Sequence, residues 1–117
     1  MGTSYVEFRN KGFWTRDSLL SSWLTALMGE MRATYPTTQW LEPLIKHWEI
    51  QIEVDGGCMA LDLDRFLQDD DKCRYMLSAA TSALARTQDA SKRTGQLFCD
   101  LLIGQVKTDA SSPIDYL

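Results

Sequence analysis

Apolar and polar residues alternate over Tyr5-Val6-Glu7-Phe8-Arg9, the period of a half-buried strand, and Asn10-Lys11-Gly12 then reads as a turn. From about Asp17 the period lengthens. Leu20, Trp23, Leu24, Leu27, Met28 and Met31 recur at helical spacing and form a stripe that must pack on something. Asp17 or Ser18 supplies the cap at its start, and Pro36 stops it, because the residue before a proline is pushed out of helical geometry. Thr37 or Thr38 is the candidate cap of a second helix that turns Trp40, Leu41, Leu44, Ile45 and Trp48 inward. Pro43 fits that helix only in its first turn, where a missing amide costs little.

The next signal is a strand period again. Ile50, Ile52 and Val54 alternate with polar residues, and after Gly56-Gly57 so do Met59, Leu61 and Leu63. Strand, Gly-Gly, strand predicts a hairpin, since a tight turn needs positive φ and glycine supplies it without strain. A two-residue loop pairs Val54 with Met59, Ile52 with Leu61 and Ile50 with Leu63, all on one face. A third helix follows Asp69-Asp70-Asp71, with Cys73, Met76, Leu77, Ala80 and Leu84 as its stripe. A fourth follows Asp89 or Ser91, with Leu97, Phe98, Leu101, Leu102 and Val106. The expected fold is α+β: four helices packed on a small antiparallel sheet made of the N-terminal strand and the central hairpin. One globular domain spans 5–107, and 108–117 reads as an extended tail.

Length and composition fit this picture. The 117 residues suit one domain, with 44% apolar and 24% charged residues, as in ordinary globular proteins. No apolar run reaches the roughly 20 residues that span a bilayer, and the first residues lack the apolar block of a secretory signal, so a cytoplasmic address is expected. The odd count of three cysteines (Cys58, Cys73, Cys99), with no CxxC pair, suits buried thiols in a reducing compartment.

Catalytic and ligand chemistry needs particular residue types at particular spacings. His47, the only histidine, has no partners at metal-ligand spacing, and no GxSxG elbow or cysteine-protease signature accompanies it. Asp62-x-Asp64 begins like a calcium loop, but Phe66 and Leu67 stand where a further ligand and the obligatory glycine belong. Gly56-Gly57 leads into a strand and not a helix, so it is no phosphate cradle. The sequence therefore points to no catalytic residue, metal or cofactor.

Charge does change the picture. Glu49, Glu53, Asp55, Asp62, Asp64, Asp69, Asp70 and Asp71 share their stretch of chain with one base, Arg65, giving −7, while the rest of the chain is +3. Some of these acids have a structural role, because carboxylates at a helix start cap amides and oppose the macrodipole. In the expected hairpin, however, Glu53, Asp55, Asp62 and Asp64 all project from the solvent face, with Glu49 across from Asp64. Like charges opposed across strands destabilise them, and a single-sign field steers a basic partner. These eight acids are the candidate binding residues. Phe13 and Trp14, before the first helix, are the alternative docking surface. Nucleic acid would want a clustered basic patch, which is missing, and no membrane is implied.

A resemblance enters here. Val6-Glu7-Phe8-Arg9-Asn10-Lys11-Gly12-Phe13-Trp14, then Trp40-Leu41, His47-Trp48-Glu49-Ile50-Gln51 and Cys58-Met59-Ala60-Leu61-Asp62-Leu63-Asp64, are similar to immunity proteins of bacterial polymorphic-toxin and contact-dependent growth inhibition systems. The similarity spans roughly residues 5–77 and is structural in character. It implies non-catalytic binding to a cognate toxin, often a basic nuclease, by occluding its active site. Two other classes stand beside it: an acidic inhibitor or adaptor that mimics nucleic acid, and an enzyme with an unrecognised small-molecule site.

Overall fold

The computed structural model describes residues 3–34, 40–55 and 60–104. The chain opens with β1 (Thr3–Phe8) and β2 (Lys11–Arg16), then α1 (Asp17–Thr34) and α2 (Leu41–Ile50). The latter runs on into a π-helical turn, Gln51–Asp55. After β3 (Ala60–Asp62) and a 3₁₀ turn, Leu63–Arg65, come α3 (Asp70–Arg86) and α4 (Ser91–Leu102). The fold is α+β, with four α-helices against a three-stranded sheet of order β2-β1-β3.

The sheet is mixed, and its hairpin lies at a different place from the one expected. β1 and β2 form an antiparallel hairpin, with Phe8 opposite Lys11 and Val6 opposite Phe13. Its loop is Arg9-Asn10, both at positive φ (51° and 67°), as the tight turn that matches strand twist requires. Gly12 therefore lies in β2 and not in the turn. Its role is steric: a Cβ there would collide with the Val6 carbonyl oxygen and the Tyr5 hydroxyl.

The central hairpin does not form. Its first arm is helical, and its second survives as β3, which pairs with β1 in parallel, Leu61 beside Val6. The Gly56-Gly57 turn lies outside the described residues, as do the proposed Thr37 or Thr38 cap, Pro36 and the 108–117 tail. The physical reason is in α2. Leu41, Leu44, Ile45 and Trp48 are buried at helical spacing, and one more turn carries Ile52 onto the same core. Helical continuation thus packs a half-buried Ile52 against the core while leaving Ile50 49% exposed, whereas a strand would have put both on one face.

The other elements agree closely with their patterns. Every member of the α1 stripe, Leu20 to Met31, is buried. Asp17 opens α1, and its carboxylate accepts a hydrogen bond from the Ser4 hydroxyl (2.5 Å), tying the helix start to β1. Pro43 falls in the first turn of α2. Asp69, in extended geometry, caps α3 by accepting from the Lys72 amide at 2.8 Å. Asp89 accepts from both the amide and the hydroxyl of Ser91 at the start of α4, which holds its carboxyl below the ordinary range.

The centre of the core is aromatic. Trp23 of α1 lies tilted on Phe98 of α4 (5.7 Å between rings), and Trp48 of α2 meets Phe98 edge-on at 6.4 Å. Gly95 makes the first contact possible, since a Cβ there would stand 2.5–2.9 Å from three Trp23 ring carbons. Thr15 of β2 and Thr94 of α4, both fully buried, satisfy each other through their hydroxyls at 3.0 Å.

Candidate docking surface

The acids of the 49–71 stretch reach the surface in two groups, set by which element carries them. Asp62, Asp64, Asp69, Asp70 and Asp71 gather around the β1–β2 turn and the start of α3, all exposed. Each has a local duty there. Asp62 accepts from the Asp64 amide at 3.1 Å and caps the 3₁₀ turn. Asp64 receives the Arg9 amide at 3.0 and 3.3 Å, so a carboxylate satisfies the donor that the left-handed Arg9 turns outward. Asp70 lies 3.7 Å from the Arg9 guanidinium, and Asp71 pairs with Arg74. Both pairs are solvent-exposed, worth at most about 1 kcal/mol each.

This group is not the single-sign face the hairpin would have made. Arg9, Lys72 and Arg74 are interleaved with the five acids, leaving only a small negative excess. Cys73 sits among them, with the Arg9 guanidinium 3.7 Å from its sulfur. Burial pushes its thiol up, Arg9 opposes that, and Asp70, Asp69 and Asp64 add to it. Near neutrality this thiol stays protonated and is a poor nucleophile.

The second group belongs to the α2 end. Glu49 and Glu53, one helical turn apart, border a groove of about 500 Å³ between α1 and the π-helical turn. Met28, Gly29 and Arg32 form its α1 side, with Ile52 between the two glutamates on the other. Arg32 bridges to Glu49 at 2.7 Å across the groove. Glu53 is exposed and has no ion pair or hydrogen bond among the described residues. Ile50, at the end of α2, is half-exposed and does not line the groove. The α-to-π transition is itself notable, because such turns are rare and concentrate at functional sites. For Asp55 the structure describes only the backbone, at the end of that turn.

Phe13, the alternative anchor, is fully buried and so is core, while Trp14 is half-buried against Tyr5 at 4.8 Å. His47 stacks tilted on Phe66 at 5.6 Å. Among the described residues, no three metal-ligating side chains come together, and no helix is long and apolar enough to cross a membrane. Of the cations set among the acids, sequence reasoning missed Arg9 and Arg32. Neither is near them in the chain: Arg9 meets Asp64 across 55 positions and Arg32 meets Glu49 across 17.

Comparison with protein families, with curated proteins and with solved structures gave no match to this chain.

Proposed function

We propose that this chain is a non-catalytic protein-binding domain: an immunity protein that neutralises a cognate basic toxin, of nuclease type, by covering its active site. The observation that carries the reading is the concentration of acids between positions 49 and 71, every one with a described side chain being exposed. The resemblance of residues 5–77 to toxin-immunity proteins gives the partner its class. A nucleic-acid mimic would present carboxylates free of counter-charges in a regular array. The interleaving of Arg9, Lys72 and Arg74 speaks against that alternative.

Isosteric charge removal tests the reading once a partner is identified, from the neighbouring gene or by affinity capture. The triple variant Glu53→Gln, Asp62→Asn and Asp70→Asn keeps side-chain shape, and the carboxamide introduced at position 62 retains an acceptor for the 3₁₀ turn. Its association rate with the partner is expected to fall several-fold at low ionic strength and to approach the parent's at high salt, where steering is screened. Equal rates at both ionic strengths would reduce the acidic surface to solvation alone.

A further inference from the structure

Gly29 occupies the middle of α1, where glycine costs about 1 kcal/mol relative to alanine. Two reasons ordinarily keep a glycine in such a place, and neither applies. Its φ is not positive, and among the described residues no neighbouring atom comes within 4 Å of the position a Cβ would take. Gly95 shows the contrast: there the indole of Trp23 fills the space a side chain would need. Packing among the described residues does not require Gly29. The open space above it lies on the groove that holds Arg32, Glu49, Ile52 and Glu53.

Charge says what the space admits. Arg32 and Glu49 neutralise each other at 2.7 Å, so among the described residues lining the groove Glu53 is the charge without a counter-ion, and it is negative. Met28 and Ile52 supply apolar surface beneath it, and Met28 is buried while Ile52 is half-buried. An arginine suits this combination: a weakly hydrated planar head for the carboxylate and an apolar stem for the floor. The missing Cβ at Gly29 lets that stem, or the backbone carrying it, approach α1 closely.

We infer that the groove over Gly29 is the docking point for an arginine side chain of the partner protein, with Glu53 receiving its guanidinium. This rests on the reading that the domain binds a basic protein, and it locates the contact away from the Arg9 cluster.

The test uses the full chain and a small probe, N-acetyl-argininamide at millimolar concentration, with the neutral isostere N-acetyl-citrullinamide as control, followed by amide shifts in ¹H–¹⁵N spectra. The arginine probe is expected to move the amides of Met28, Gly29, Glu49, Ile52 and Glu53, and the citrulline probe is not. Gly29→Leu, which fills the open space, is expected to abolish the response, with a denaturation midpoint no lower than the parent's. Glu53→Gln should weaken it about two- to fivefold, the range of one exposed ion pair. Equal shifts from both probes, or an unchanged response in folded Gly29→Leu, overturn the inference. So does a response centred on the amides of Asp62, Asp64 and Asp69 to Asp71, which would leave the wider acidic-surface reading standing. Absence of any response also removes the groove, while the association rates of the charge-removal variant decide the wider reading independently.

Discussion

The two described helical glycines far from helix ends, Gly29 and Gly95, allow one substitution to be read twice with opposite signs. Replacing either by alanine gains the same intrinsic term, about 1 kcal/mol, because alanine gives up less backbone freedom on folding. At Gly29 nothing among the described residues offsets that gain, since none of their atoms comes within 4 Å of the new methyl. At Gly95 the methyl would stand 2.5 Å from Cζ3, 2.7 Å from Cε3 and 2.9 Å from Cη2 of Trp23. Ordinary carbon–carbon contact, at about 3.5–4.0 Å, needs more room. The indole has little freedom to yield: it is fully buried and stacked on Phe98, which is held in turn by Trp48. Overpacking of a filled core costs roughly 1–3 kcal/mol. The difference between the two variants cancels the intrinsic term and isolates the packing cost, so Gly29→Ala should exceed Gly95→Ala in stability by about 1–3 kcal/mol. Urea unfolding followed by tryptophan fluorescence, with both variants and the parent at equal slope, measures it. A Gly95→Ala protein as stable as Gly29→Ala would show that α4 and α1 do not meet face to face at Trp23.

Two further outcomes follow from single groups. Asp69→Ala should cost about 0.5–2 kcal/mol by exposing the Lys72 amide, while Asp70→Ala and Asp71→Ala should change the unfolding midpoint little; equal effects at all three would remove the cap from Asp69. Burial, with the Asp100 charge adding to it, pushes the Cys99 thiol from 9.0 up to about 11. A raised folded value means that stability is unaffected by this group below pH about 9 and falls as pH climbs through 11. The stability gap between parent and Cys99→Ala should therefore shrink over that window, and a gap constant from about pH 8 to 11 would contradict the burial.

How far the sequence discloses this fold depends on the reach of each signal. The helical stripes of α1, α3 and α4 are legible because an amphipathic period repeats several times within one element; Leu20 to Met31 identify their own buried face. The Asp69 cap is legible because its partner is three residues away. The segment 50–55 is not, because its two periods compete. Ile50, Ile52 and Val54 satisfy a strand, while Trp48 and Ile52 satisfy a helix, and the choice is made by the core that α2 already covers. β2 stayed hidden for another reason: Phe13 and Trp14 stand adjacent and mask the alternation, and Thr15, buried against Thr94, carries a hydroxyl where an apolar residue would be expected. Of the cations at the candidate surface, Arg9 and Arg32 were beyond reach because their acids arrive from remote parts of the chain.

The parallel pairing of β3 with β1 has a consequence for how the chain is made. β1 and β2 are neighbours and can close as a hairpin within microseconds. The other edge of β1 is completed only when Ala60–Asp62 arrive, and both α1 and α2 must emerge first. At a translation rate of roughly 5–20 residues per second, the nascent strand waits several seconds with one row of amides and carbonyls unpaired. The Asp64 carboxylate on the Arg9 amide arrives with β3 and holds the hairpin tip to the residues just beyond that strand. Loss of that contact would prolong exposure of a sticky edge, and its penalty would appear in the yield of soluble protein during synthesis more than in the stability of molecules already folded.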